Sequence, residues 1–218
     1  MAGTGLKTFM LVAGEPSGDL LASELVLALR ERWPNAKFFG AGGARMAAAG
    51  VEVAFDMREH AVVGIPTPGK LLALRYVAGQ LHQLGSERKA DAVIGVDYGA
   101  FNLRLGHAIK QQARNQQGTG WQPKLVQFVS PQVWASRPGR AKLLEADYDL
   151  LLSIFPFEKD WYAQRAPKLR VEFVGHPMVD RIQQSRDHKG ADHHDAGQWI
   201  LLLPGSRKSE LKHHLPVM

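Results

Sequence analysis

Six short motifs carry the residue types that could do chemistry, and each falls where an apolar run gives way to a polar stretch. Gly14-Glu15-Pro16-Ser17-Gly18-Asp19 comes first. Gly14 and Gly18 would let the backbone approach a ligand, and helix amides beyond them would face an anion. Glu15, Ser17 and Asp19 add polar contacts to a substrate; the competing reading is a tight turn with Ser17 or Asp19 as a helix cap. The stretch is not a P-loop, which ends in Lys-Ser/Thr, nor a nucleophile elbow, whose glycine spacing differs. Gly40-Ala41-Gly42-Gly43-Ala44-Arg45 approaches the dinucleotide fingerprint, but Arg45 occupies the last glycine position. It reads instead as a strand-end loop that brings Arg45 near a substrate.

The third motif is Gly95-Val96-Asp97-Tyr98-Gly99-Ala100-Phe101-Asn102. A carboxylate at Asp97, just past an apolar run, is placed for general-base work. Otherwise it caps the next helix, a role also open to Asn102, which is a second substrate contact on the first reading. Ser130 and Gln132 of Val129-Ser130-Pro131-Gln132-Val133-Trp134-Ala135 could hydrogen-bond a sugar on which Trp134 stacks; equally, Trp134 could anchor a packed loop. His176 of Gly175-His176-Pro177 is a substrate contact or a hydrogen-bonded structural residue. Gly205, Ser206 and Arg207, after Leu203-Pro204, suit a diphosphate held by amides and a guanidinium. Asp147-Tyr148-Asp149 has the form of a cation-binding pair but opens an apolar strand and reads as a cap. The histidines at 188, 193, 194, 213 and 214 lack convergent ligand spacing, so no metal site is expected.

Bringing these loops to one edge takes strands that alternate with helices. Apolar runs predict strands at 8–13, 37–40, 51–55, 92–96, 124–129, 150–154 and 171–174. Helical periodicity marks 20–33, 45–49, 70–89, 103–116, 158–164 and 178–185. The alternation predicts an α/β, Rossmann-like fold: a mostly parallel sheet with helices on both faces. Helix 70–89 joins an apolar stripe to Lys70, Arg75, Arg88 and Lys89; it faces the core with a basic outer side or lies on an anionic membrane. In the second case Val62–Pro66 extends the apolar patch. Residues 187–198 are polar and aperiodic, a linker between a domain at 1–186 and the start of a second Rossmann-like domain at 199–218. That start comprises a strand at 199–203 and a helix from Ser209, which reads as an incomplete domain and the chain as a shortened form of a longer protein.

Composition narrows the class. The chain has 218 residues, 45% hydrophobic and 22% charged, with mean hydropathy −0.20. That excludes a disordered tail, a collagen and a disulfide miniprotein. Zero cysteines exclude thiolate zinc, iron–sulfur clusters and a cysteine nucleophile. No apolar run approaches the roughly 20 residues of a membrane span, and no signal peptide is visible, so a soluble cytoplasmic protein is expected. Lysine and arginine outnumber the acids 27 to 21, for a net charge of +6. Such a charge suits anionic lipid or phosphorylated substrates. The basic residues are dispersed and no nucleic-acid motif appears, so a nucleic-acid partner is not expected.

Taken in order, residues 12–19, the Gly-Gly-Ala-Arg-Met of 42–46, Gly95-Val96-Asp97, residues 129–135, Phe155-Pro156-Phe157-Glu158-Lys159, Val174-Gly175-His176-Pro177 and residues 203–207 resemble the lipid-A-disaccharide synthase family. The resemblance implies an inverting GT-B glycosyltransferase with its active site between two Rossmann-like domains. It implies transfer of 2,3-diacylglucosamine from its UDP form to 2,3-diacylglucosamine 1-phosphate, with no metal or other cofactor. It implies a peripheral protein at the anionic cytoplasmic face of the inner membrane of Gram-negative bacteria, and leaves a homo-oligomer open. By match to the family's motifs Asp97 is the candidate base, and Gly205, Ser206 and Arg207 the site for the UDP phosphates. One departure stands out: Ala100 replaces a second carboxylate usual in the family's Asp-x-Pro-Asp-Phe-Asn. Two rivals remain: a non-catalytic lipid- or anion-binding module, and another UDP-sugar enzyme of the same fold.

Overall fold

The first strand, β1 (Thr8–Ala13), has no polar alternation, as expected of a strand covered on both sides. The computed structural model bears this out: Met10 and Val12 enter one core cluster, Leu11 and Ala13 the other. The structure describes residues 6–57, 68–116, 120–188, 200–205 and 208–218. Contacts divide the chain into two units, Met1–Val179 and Asp180–Met218.

In the first unit β1 leads to α1 (Pro16–Arg32), β2 (Lys37–Gly42), α2 (Ala44–Ala48) and β3 (Glu52–Asp56). Next come α3 (Pro68–Glu87), β4 (Ala92–Val96), α4 (Gly99–Asn115), β5 (Lys124–Phe128), α5 (Val133–Ser136) and α6 (Arg140–Asp147). β6 (Leu150–Ser153), α7 (Pro156–Arg165) and β7 (Val171–Phe173) follow, and α8 (Pro177–His188) runs on past the unit boundary. The described strands form one sheet in the order β3-β2-β1-β4-β5-β6-β7, every pair parallel. Helices α1 and α2 supply Ala22, Val26 and Met46 to one face. The other face packs against α3, α4, α6 and α7 through Val77, Leu81, Leu105, Ile109, Leu144 and Tyr162. The α/β, Rossmann-like class is thus shown.

Several boundaries differ from expectation. β2 runs two residues further, to Gly42, and α4 starts at Gly99 rather than 103. Helices α5 and α6 were not expected; at four and eight residues they are too short for a hydrophobic period to stand out. α8 reaches His188, two residues into the expected linker. The expected strand at 199–203 does not form over Ile200–Leu203, which pair with no strand among the described residues. In the second unit α9 (Lys208–His214) leads into a 3-10 turn at Leu215–Val217, and the His214 Nδ1 lies 2.9 Å from the Pro204 carbonyl oxygen. Residues 189–198, Val62–Pro66, Ser206 and Arg207 lie outside the described residues.

Helix α3 packs Val77 and Leu81 into the core and leaves Leu72, Arg75 and Tyr76 exposed. Its neighbour Arg88 is tied down, with both terminal nitrogens donating to Glu52 at 2.6 Å and the guanidinium over the Phe39 ring. The two aspartates of the Asp-x-Asp pair serve as struts. Buried Asp147 meets His107 at 2.8 Å and Arg114 at 3.2 Å. Asp149 accepts from Lys110, Lys124 and the Leu125 amide at 2.9–3.0 Å, tying α4, β5 and β6 together. Partial burial pushes the Asp149 carboxyl up, but these donors outweigh it and hold it below the usual carboxylate range. A depressed carboxyl contributes stability above its unfolded pKa of about 3.9, lost as pH falls through the lower folded value. Asp149→Asn is therefore expected to remove part of the acid limb of the stability curve, read by urea unfolding between about pH 2 and pH 5.

Candidate functional site

β1 and β4 are hydrogen-bonded neighbours, yet the helices that follow them cover opposite faces of the sheet. The chain therefore diverges at their carboxyl ends and opens a crevice, the usual ligand position in such sheets. Gly14, Glu15 and Ser17 border it from one side and Asp97 from the other. The Ser17 hydroxyl lies 3.5 Å from Asp97 Oδ2, joining the first and third motifs.

The backbone at Asp97 is unusual. Asp97 and Tyr98 both take left-handed conformations, with φ of 52° and 44°, and Val129 beyond β5 does so at 68°. Each such residue costs of order 1–3 kcal/mol and persists only where its surroundings hold it. Here two buried amides do so. Asn102 and Gln127 each donate to the Asp97 carbonyl at 2.9 Å, and Gln127 also reaches the Val129 carbonyl at 3.2 Å. Asn102 further touches the Val12 carbonyl at 3.3 Å. Gly95 makes room for both, since a Cβ there would fall 2.6 Å from Gln127 Oε1 and 2.8 Å from Asn102 Cγ. Asn102 is thus a positioning residue beneath the crevice, because its 2%-exposed amide faces the sheet.

The ring of Tyr98 lies over Gly14, where an added Cβ would sit 2.2–2.7 Å from three ring carbons. It also stacks on Phe101, with centroids 5.6 Å apart. Asp19 is buried and caps α2 rather than its own helix. Its carboxylate accepts from the amides of Gly43, Arg45 and Met46 at 2.8–3.1 Å. That contact closes a cleft of about 190 Å³ between Gly14, Glu15 and Arg45. Arg45 itself is exposed. Gly18 is buried where α1 passes the end of β4.

The loop after β5 takes the packed reading for two of its three candidates. The buried Ser130 hydroxyl lies 3.1 Å from that of Tyr162, whose phenol burial pushes up to about 12. The Trp134 indole donates to Glu158 at 3.1 Å, and Glu158 also accepts from the Phe155 amide. Gln132 is exposed and shares a depression of about 280 Å³ with Asp97. His176 lies at the same sheet edge beyond β7, exposed, its Nδ1 accepting from the Met178 amide at 3.1 Å. Gly205, in the second unit, is left-handed at φ 104°.

The chain matches the family model described as lipid-A-disaccharide synthetase over residues 9–218. It belongs to that family. It is 40% identical over 222 aligned residues to the lipid-A-disaccharide synthase of Myxococcus xanthus, covering 99% of this chain and 55% of that protein. The Vibrio parahaemolyticus and Escherichia coli O7:K1 proteins of the same name are each 39% identical, over 93% and 94% of this chain and 52% of theirs. The chain spans about half the length of these curated relatives. Within the family match every motif from Gly14 to Gly205 is included. Among the described residues no helix is long and apolar enough to cross a membrane.

Sequence reasoning missed Gln127 and Tyr98. The signal for Gln127 was there: a lone polar residue inside the apolar run Leu125–Phe128. Gln127→Leu is expected to leave the Asp97 and Val129 carbonyls short of a donor and to lower stability by about 1–3 kcal/mol in urea unfolding.

Proposed function

We propose that this chain forms the acceptor-side half of a lipid-A-disaccharide synthase. The reaction moves 2,3-diacylglucosamine from UDP to the 6-hydroxyl of 2,3-diacylglucosamine 1-phosphate, giving a β-1,6-linked disaccharide 1-phosphate and UDP. The observation that carries this reading is the Asp97 carboxylate, half-buried and set by a left-handed backbone at the mouth of the β1–β4 crevice.

In the proposed step Asp97 takes the acceptor hydroxyl proton as that oxygen attacks the anomeric carbon. The bond from that carbon to the UDP oxygen breaks with its electron pair, on the opposite face, so the anomeric centre inverts. Charge grows on the diphosphate, which Gly205, Ser206 and Arg207 are assigned to neutralise through amides and a guanidinium. The step balances without a redox partner. Gly14, Glu15, Ser17, Arg45, Gln132 and His176 are the proposed substrate contacts, with Gly18, Asp19, Asn102, Ser130 and Trp134 positioning them.

Peripheral attachment to the cytoplasmic face of an inner membrane belongs to the same reading. Leu72 and Tyr76, one turn apart on α3 and exposed beside Arg75, support it. The 218-residue chain by itself is proposed to give little or no turnover, because it spans about half of its relatives. The test incubates UDP-2,3-diacylglucosamine and the acceptor lipid with this chain and with a form of relatives' length, and measures UDP. Release by the longer form alone is expected. Turnover of UDP-N-acetylglucosamine but not of the diacyl donor would move the protein to another UDP-sugar reaction, and release by the 218-residue chain would overturn the inactivity.

A further inference from the structure

The groove along α4 and α6 has a charge pattern that the fold does not use. Arg104, Arg137 and Arg140 line two adjoining depressions of about 240 and 280 Å³, which share Ala100, Leu103 and Arg140. Among the described residues none of the three arginines has a carboxylate within ion-pair distance, whereas Arg88, Arg114 and Arg170 each do. Two acids line the depressions: Asp147 is engaged by His107 and Arg114, and Asp97 makes no ion pair with the arginines among the described residues. Burial first, then Arg137 and Arg104, hold Arg140 below the usual arginine range. Guanidiniums without a carboxylate partner, along a wall of Ala100, Leu103 and Leu143, match an anion joined to an alkyl chain. Leu143 is 52% exposed, so this wall is open to a ligand. The second depression continues to Asp97.

We infer that Arg104, Arg137 and Arg140 bind the phosphate of a single amphiphilic phosphate monoester, its chain lying along Ala100, Leu103 and Leu143. Ala100 matters because a carboxylate at that position would pair with the arginines.

The 218-residue chain is titrated calorimetrically with octyl phosphate below its micelle-forming concentration, with inorganic phosphate, and with vesicles of phosphatidylcholine and phosphatidylglycerol. Saturable one-to-one binding of octyl phosphate, tighter than inorganic phosphate, is expected. Arg137→Gln/Arg140→Gln should weaken it by about 10–100-fold, as for lost hydrogen bonds to a charged group. Ala100→Asp should weaken it as well, in an exposed first helical turn that favours an acid, so folding is not at stake. Arg170→Gln, a charge change elsewhere, should leave it unchanged. Binding to vesicles without saturable octyl phosphate binding, or binding indifferent to Ala100→Asp, would overturn the site and leave a diffuse surface charge. Equal affinity for inorganic phosphate would overturn the apolar half. The readout needs no turnover, and transfer is measured separately on a form of relatives' length: absence of transfer there counts against the transferase reading alone, and absence of saturable octyl phosphate binding against this inference alone.

Discussion

Asp97→Asn is expected to lower kcat by about 10²–10⁴-fold, the usual contribution of a positioned general base. The measurement is made on a form of the protein that turns over. Asparagine is the substitution of choice because it tolerates a left-handed backbone, so the φ of 52° survives. Alanine would add strain at the same position and blur the result. The side-chain contact at stake is the Ser17 hydroxyl at 3.5 Å, so urea unfolding of Asp97→Asn should follow the wild type. KM should move little, because the proton is taken in the transition state and not on binding. A kcat within about twofold of wild type would remove Asp97 from the base role and leave the crevice as a binding feature.

Gly14→Ala is expected to destabilise the protein by about 1–3 kcal/mol and to cost activity with it. The new Cβ would stand 2.2–2.7 Å from the Tyr98 ring, so the ring must leave. Tyr98 follows Asp97 in the same left-handed pair, so a backbone shift that clears the ring is expected to carry the carboxylate with it. The pairing makes a sharp control. Tyr98→Gly removes the ring and suits φ 44°, at the loss of stacking on Phe101. The double variant should then recover much of the Gly14→Ala loss, an interaction energy of about 0.5–3 kcal/mol in a double-mutant cycle. Simple additivity would show that the ring is not what Gly14 accommodates.

What the sequence made legible follows from the range of the interactions involved. β1 and β4 were readable to the residue, because a strand buried on both sides is a continuous apolar run. The types and strand-end positions of Ser17 and Asp97 marked both, and the structure brings them together. Which way a side chain turns was not readable. Asp19 looked like a cap for its own helix, but its partners lie 24 to 27 residues on, a choice made by tertiary packing of α1 on α2. Asn102 and Ser130 looked like ligand contacts and face inward, one to backbone carbonyls and the other to Tyr162. The left-handed pair at 97–98 lies behind the first case: it turns a carbonyl off the ladder, and a buried amide must meet it.

The strand order also governs how the chain emerges from the ribosome. β1 gains β2 as a neighbour after some thirty residues, but its other edge pairs Phe9 with Ala92. Between those events the apolar Phe9–Ala13 edge has no strand to close it. At about 5–20 residues per second that wait lasts several seconds, with an open edge able to pair with another nascent chain. Translation stalled before residue 92 is thus the stage at which this protein most needs a chaperone.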